Sequence, residues 1–224
     1  MDRGIPYSDR VYINCEIKHM KRIFLFLLTA LITLASFAQD NSQHIISQIN
    51  DAAAKLNTMQ CNFTQTKTVK LLNEKMVSKG RMHYQQPNKL RWEYTTPYTY
   101  TFILNDSKVS LKKNSRHDVI DINQNKMFRE IATIMMNSIV GKCLSDKKSF
   151  KTTVKDTATE WIATLVPQSK ELKHMFTSIV LHFNKEKSVV VKVEMFEKNG
   201  DTTVIVLNDI IKNKKIDAKT FSVN

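Results

Sequence analysis

The side chains with which this chain could make or break bonds are few and scattered. Beyond His19, histidines stand at positions 44, 83, 117, 174 and 182, with no His-x-x-x-His pair, and no Cys-x-x-Cys occurs. The spacing carries no metal-ligand signature, so each histidine reads as a surface or strand-flank residue. Asp118 with Asp121, and Glu194 with Glu197, have the form of carboxylate pairs, but on strands and loops such pairs are ordinarily solvated rather than engaged in acid–base work. Four glycines, at 4, 80, 141 and 200, exclude a phosphate loop, a dinucleotide fingerprint and a Gly-x-Ser-x-Gly nucleophile elbow. No enzyme, cofactor or metal is expected. The remaining chemical resource is apolar surface, and the elements that would shape it can be read from periodicity.

Ser42 opens a helix whose apolar stripe is Ile45, Ile49, Ala52, Ala53 and Leu56. Strand alternation then takes over at Met59, Cys61 and Phe63, and Val69 to Leu72 lead into a turn at Asn73-Glu74. Met76, Met82 and Tyr84 share one face of a second strand, with Gly80 between them marking a bulge or sharp bend. Pro87 and Pro97 bracket a third strand on which Leu90, Trp92 and Tyr94 share a face. Strands at 100–104 and 109–113 follow around an Asn105-Asp106 turn. After a helix at 126–140, ended by Gly141, strands are expected near 150–155, 160–166, 176–183, 188–197 and 201–211, with a short one near Phe221. About ten antiparallel strands with two helices predict a mainly β fold with α, an incomplete, strongly curved barrel.

The helix at 126–140 is apolar on more than one face, through Met127, Phe128, Ile131, Ile134, Met135, Met136, Ile139 and Val140. A surface helix shows a narrower stripe. It reads as a plug in the open end of the barrel, and if the plug moves it uncovers the inner strand faces. Its three methionines suit a surface that repacks against variable chains.

Met20-Lys21-Arg22, an apolar run from Ile23 to Leu34, and Ser36-Phe37-Ala38 have the layout of a secretory signal. The run is shorter than the roughly 20 residues a spanning helix needs. Residues 20–38 are therefore expected to be removed after Ala38, residues 1–19 to be an upstream extension outside the fold, and 39–224 to form one domain in the periplasm. The precursor carries 34 basic and 21 acidic residues, of which residues 1–38 hold 5 and 3, leaving 29 minus 18, or +11. With an export signal, that charge points to a solvated surface rather than to nucleic acid; its functional alternative is weak attraction to anionic headgroups or an acidic partner. In an oxidising compartment Cys61 and Cys143 either pair, tying the first strand to the central helix, or stay as two buried thiols.

Phe63-x-Gln65, Gly80 and Pro87-x-x-Leu90-Arg91-Trp92-Glu93-Tyr94-x-x-Pro97, with a weaker echo in Ile216-Asp217-Ala218-x-x-Phe221, together resemble the LolA family of periplasmic lipoprotein carriers. The resemblance implies an incomplete barrel with a helical lid over an apolar cavity that accepts lipoprotein acyl chains. The cargo would come from an inner-membrane ABC transporter and pass to an outer-membrane receptor, with the carrier a monomer. Met82, Leu90, Trp92, Phe102 and Leu104 on the strands, and Phe128, Ile131, Met135 and Ile139 on the lid, are the candidate cavity residues. The position before Pro87 is an arginine that latches the lid in familiar members and is Gln86 here. A neutral amide bond contributes about 0.5–1.5 kcal/mol against roughly 1.5–3 for a charged one, so the latch is expected to be weaker or built differently, with Arg81 or Arg91 as substitutes. Two alternatives stay open on sequence: a carrier of another acylated envelope lipid, such as a glycolipid or pigment ester, and a lipid-sensing module.

Overall fold

In a computed structural model of the chain, the described residues are 42–124 and 126–223, without the side chains of 126–128, 130, 131, 134 and 135. Tertiary contacts divide the chain between His44 and Ile45, and the fold is that of the second unit, Ile45–Asn224. The expected upstream extension and signal peptide, residues 1–38, lie outside the described residues. No described helix is long and apolar enough to cross a membrane.

Helix α1 (42–54) buries Ile45, Ile49 and Ala53, one stripe at four-residue spacing, with Leu56 completing it just past the helix. Six strands then run in sequence as a meander: β1 (Thr58–Val69), β2 (Glu74–Gln85), β3 (Lys89–Thr96), β4 (Tyr100–Asn105), β5 (Lys108–Lys113) and β6 (Arg116–Asp121). Helix α2 (Lys126–Val140) and a 3-10 turn, Lys142–Ser145, lead to β7 (Phe150–Asp156), β8 (Glu160–Pro167), the short helix α3 (Lys170–Met175), β9 (Phe176–Asn184), β10 (Val189–Glu197) and β11 (Thr202–Lys212). All eleven join one antiparallel sheet in the order β6-β5-β4-β3-β2-β1-β11-β10-β9-β8-β7. With each strand turned roughly 20–25° from its neighbour, a sheet this wide curls strongly.

That order places α2. The two meanders are welded where β1 pairs with β11, so β6 and β7, consecutive strands in the chain, stand at opposite edges of the sheet. The segment joining them contains α2, which packs on the apolar side and lies against β10. Its described core residues, Ala132, Met136, Ile139 and Val140, are all buried there.

Three elements differ from the sequence expectation. Arg116–Asp121 is an additional strand at the sheet edge; its Arg-His-Asp start lacks apolar alternation because only β5 pairs with it. Lys170–Met175 is a third helix, nucleated by Ser169, whose hydroxyl accepts from the Leu172 amide. The chain closes in a 3-10 turn, Ala218–Phe221, not a strand, because the Asp217 carboxylate accepts from the Lys219 amide and bends the backbone. That turn lies against β3 and β4, where Asn105 Nδ2 donates to the Phe221 carbonyl at 3.1 Å.

Candidate functional site

Strand registers place the apolar residues of the first meander in rows across the sheet. One row is Cys61, Met82, Trp92, Phe102 and Leu111, each opposite the next on β1 to β5. Beside it runs Met59, Tyr84, Leu90, Leu104 and Val109. Side chains two apart on a strand share a face, so the rows form one apolar field, about 19 Å across at the usual strand spacing. Met82, Leu90 and Val109 are wholly buried, and the field packs against Ala132, Met136, Ile139 and Val140 of α2.

The rim of the field is aromatic and closely fitted. Phe63 stacks on Trp92 with ring centroids 4.2 Å apart and meets Tyr94 edge-on at 5.2 Å. Phe63 also lies opposite Gly80, where a Cβ would come within 2.5 Å of the phenyl ring and 1.9 Å of the Glu93 carbonyl oxygen. The β2–β3 register shifts between Lys79 and Gly80, so the expected bulge is there. Gln65 Oε1 accepts from the Tyr94 hydroxyl at 2.9 Å. Phe63, Gln65, Gly80, Trp92 and Tyr94 thus act on one another: the motif builds the curved wall.

Of the candidate cavity residues, Met82, Leu90, Trp92, Phe102, Leu104 and Ile139 fall in this one cluster. The side chains of Phe128, Ile131 and Met135 lie outside the described residues. Met59, Tyr84 and Val109 belong to the field as fully as Leu90, and the two-residue alternation that flagged Leu90 would also have found them.

The field is filled where it is described. Between α1, α2 and the β9–β10 turn remains a void of about 10 Å³, room for one water, bounded by Ala53, Ile139 and Val189 among others. A wider cleft of about 530 Å³ opens beside that void, sharing Leu56 and Val189 with it, with Asp51, Lys55, Trp161, Lys185 and Lys212 also in its walls.

Gln86 engages the other helix. Its side-chain amide donates to the Ala53 carbonyl in α1 at 2.9 Å, and its backbone N–H donates to Asn57. Arg91 is committed to the opposite face of β3, paired with Glu93 at 3.1 Å and donating to the Thr220 carbonyl. Cys61 and Cys143 are free thiols in separate clusters, and burial pushes both up to about 12. Among the described residues no group of three or more His, Cys, Asp or Glu side chains is arranged to hold a metal.

On the outer face, His182 of β9 stands between two carboxylates, Nδ1 2.9 Å from Glu160 and Nε2 2.8 Å from Glu194. Lys192 sits 2.8 Å from Glu194 and, with His182, holds its carboxyl below the usual glutamate range. These groups come from three strands, and their spacing in sequence gave no sign of the cluster.

Residues 54–224 match the sequence profile of the family described as outer membrane lipoprotein carrier protein LolA. The outer-membrane lipoprotein carrier protein of Legionella pneumophila (strain Lens) is 27% identical over 211 residues, covering 92% of this chain and 95% of that one. The carrier of Pseudoalteromonas translucida is 24% identical over 213 residues, covering 90% and 92%. The solved structure of MucB shares the fold, with a TM-score of 0.52 at 7% identity, over 82% of this chain and 62% of that one. The chain belongs to the LolA family.

Proposed function

We propose that this protein carries lipoproteins across the periplasm by their acyl chains, which take the place of α2 on the apolar field. The observation that carries the reading is the seating of α2: its buried residues Ala132, Met136, Ile139 and Val140 share one apolar cluster with both rows. If it lifts, Met82, Leu90, Trp92, Phe102 and Leu104 form a ready acyl surface.

The energetics give the helix a purpose. Burying a CH₂ yields about 0.8 kcal/mol, so a dozen methylenes give roughly 10 kcal/mol and several chains approach the ceiling near 20 kcal/mol. A cargo held that tightly would not leave. A helix that refills the field competes with the cargo and lowers its net affinity, so handover needs only a receptor with a somewhat better pocket. In this reading an inner-membrane ABC transporter loads the carrier and an outer-membrane receptor unloads it. The carrier itself is a monomer that does no covalent chemistry.

The test is release. Spheroplasts with lipoproteins labelled on their acyl chains are incubated with the purified protein, and a labelled one-to-one complex in the supernatant is the expected result. Failure to release, with a small lipid retained in native mass spectrometry, would transfer the reading to a carrier of another acylated lipid. An empty protein in both assays would refute it.

A further inference from the structure

The β1–β2 hairpin ends in a turn at residues 70–73 that holds the most exposed apolar side chains described in the protein. Leu71 is 92% exposed and Leu72 61%, and Met76 and Val77 behind them are 52% and 50% exposed. Single exposed leucines are ordinary, but four exposed apolar side chains within seven residues at one hairpin end are not. The turn is also braced. The Lys70 amide donates to Asp201 Oδ1 at 3.0 Å, and Lys67 Nζ lies 3.1 Å from Glu197 and 3.6 Å from Asp201, both in the adjoining β10–β11 hairpin. The Lys70 stem crosses Gly200 so closely that a Cβ there would lie 2.6 Å from it. Two hairpins tied side by side hold the leucines out in water rather than letting them fold back.

The charges around the tip select its occupant. Lys70 and Lys75 are exposed and flank the leucines, against the single acidic Glu74 in the same stretch. A convex apolar point ringed by ammonium groups complements a bilayer with anionic phosphates above its acyl boundary. We propose that the β1–β2 tip is a membrane-contact element, with Leu71 and Leu72 entering the acyl boundary of an anionic leaflet and Lys70 and Lys75 lying among its phosphates. The inference goes beyond the carrier reading and does not depend on the cargo.

Sedimentation with vesicles of phosphatidylcholine, or of equal parts phosphatidylcholine and phosphatidylglycerol, tests it. The protein is expected to bind the anionic vesicles. L71S/L72S, which alters only exposed positions and should melt at the wild-type temperature, is expected to bind at least about tenfold more weakly. K70Q/K75Q is expected to lose about fivefold per lysine at low salt and much less at high salt. L71W reports the tip alone, and its emission is expected to shift to the blue on anionic vesicles. Unchanged L71W emission on vesicles that retain the protein, unweakened binding of L71S/L72S, or no binding by the wild type would each overturn the proposal.

Discussion

Met136→Ala separates a lid from a permanent core helix. Met136 is 8% exposed and packs in the cluster that contains Leu90, Trp92 and Phe102. Truncating a buried methionine to alanine costs about 2–5 kcal/mol, and alanine leaves the helix propensity of α2 intact. The lower figure, about 2 kcal/mol, suits a side chain on a single helix packed against the sheet. If acyl chains enter by displacing α2, that cost falls on the competitor of the cargo. The apparent affinity for a fluorescent fatty acyl probe then rises, by up to about thirtyfold. The melting temperature falls in the same variant. Leu181→Ala is the control: Leu181 is wholly buried in the other cluster, with Phe183 and Leu165. It should lower the melting temperature comparably and leave probe affinity unchanged. Probe titration of wild type and both variants, alongside thermal melts, decides the matter. Equal affinities in all three, with Met136→Ala melting lower, would refute displacement of α2.

Gly80→Ala places a methyl group against the backbone of β3 and the ring of Phe63, so a loss of about 3 kcal/mol or more is expected in denaturant melts; an unchanged midpoint would show that the bulge relaxes freely. Cys61 and Cys143, with thiols pushed up to about 12, should resist iodoacetamide at pH 8 in the native protein and react fully in denaturant, as peptide mass spectrometry would show. The Glu194 carboxyl is held low by its hydrogen bond to Lys192, then by His182, so its contribution is present above the ordinary value of 4.5 and is lost as pH falls through the depressed folded value. Asp146, lowered chiefly by its hydrogen bond to Ser149, acts in the same direction from 3.8. Stability should therefore decline below about pH 4.5, and Glu194→Gln should flatten the upper part of that decline in melts taken across the range.

Much of the wall was legible because its signals are local. The two-residue alternation of Leu90, Trp92 and Tyr94 needs only a pleated strand, and Gly80 inside an apolar strand signals a bulge whatever lies opposite. The excess apolar surface of 126–140 likewise marked a covered helix, and the motif from Phe63 to Pro97 pointed to the family before any geometry was known. Polar elements were silent: Arg116–Asp121 pairs along one edge only and has no periodic pattern to display.

Partnership was decided only in three dimensions. Nothing local tells β1 to pair with β11, some 140 positions away along the chain, yet that weld sends β6 and β7 to opposite edges and leaves α2 as part of the segment between them, packed with the apolar field. The same holds for Gln65 meeting Tyr94, Gln86 choosing Ala53 of α1, and His182 finding a glutamate on each neighbouring strand. Periodicity along a strand tells which way a side chain faces. Which side chain it then meets is set by register between strands, and register depends on every strand between them.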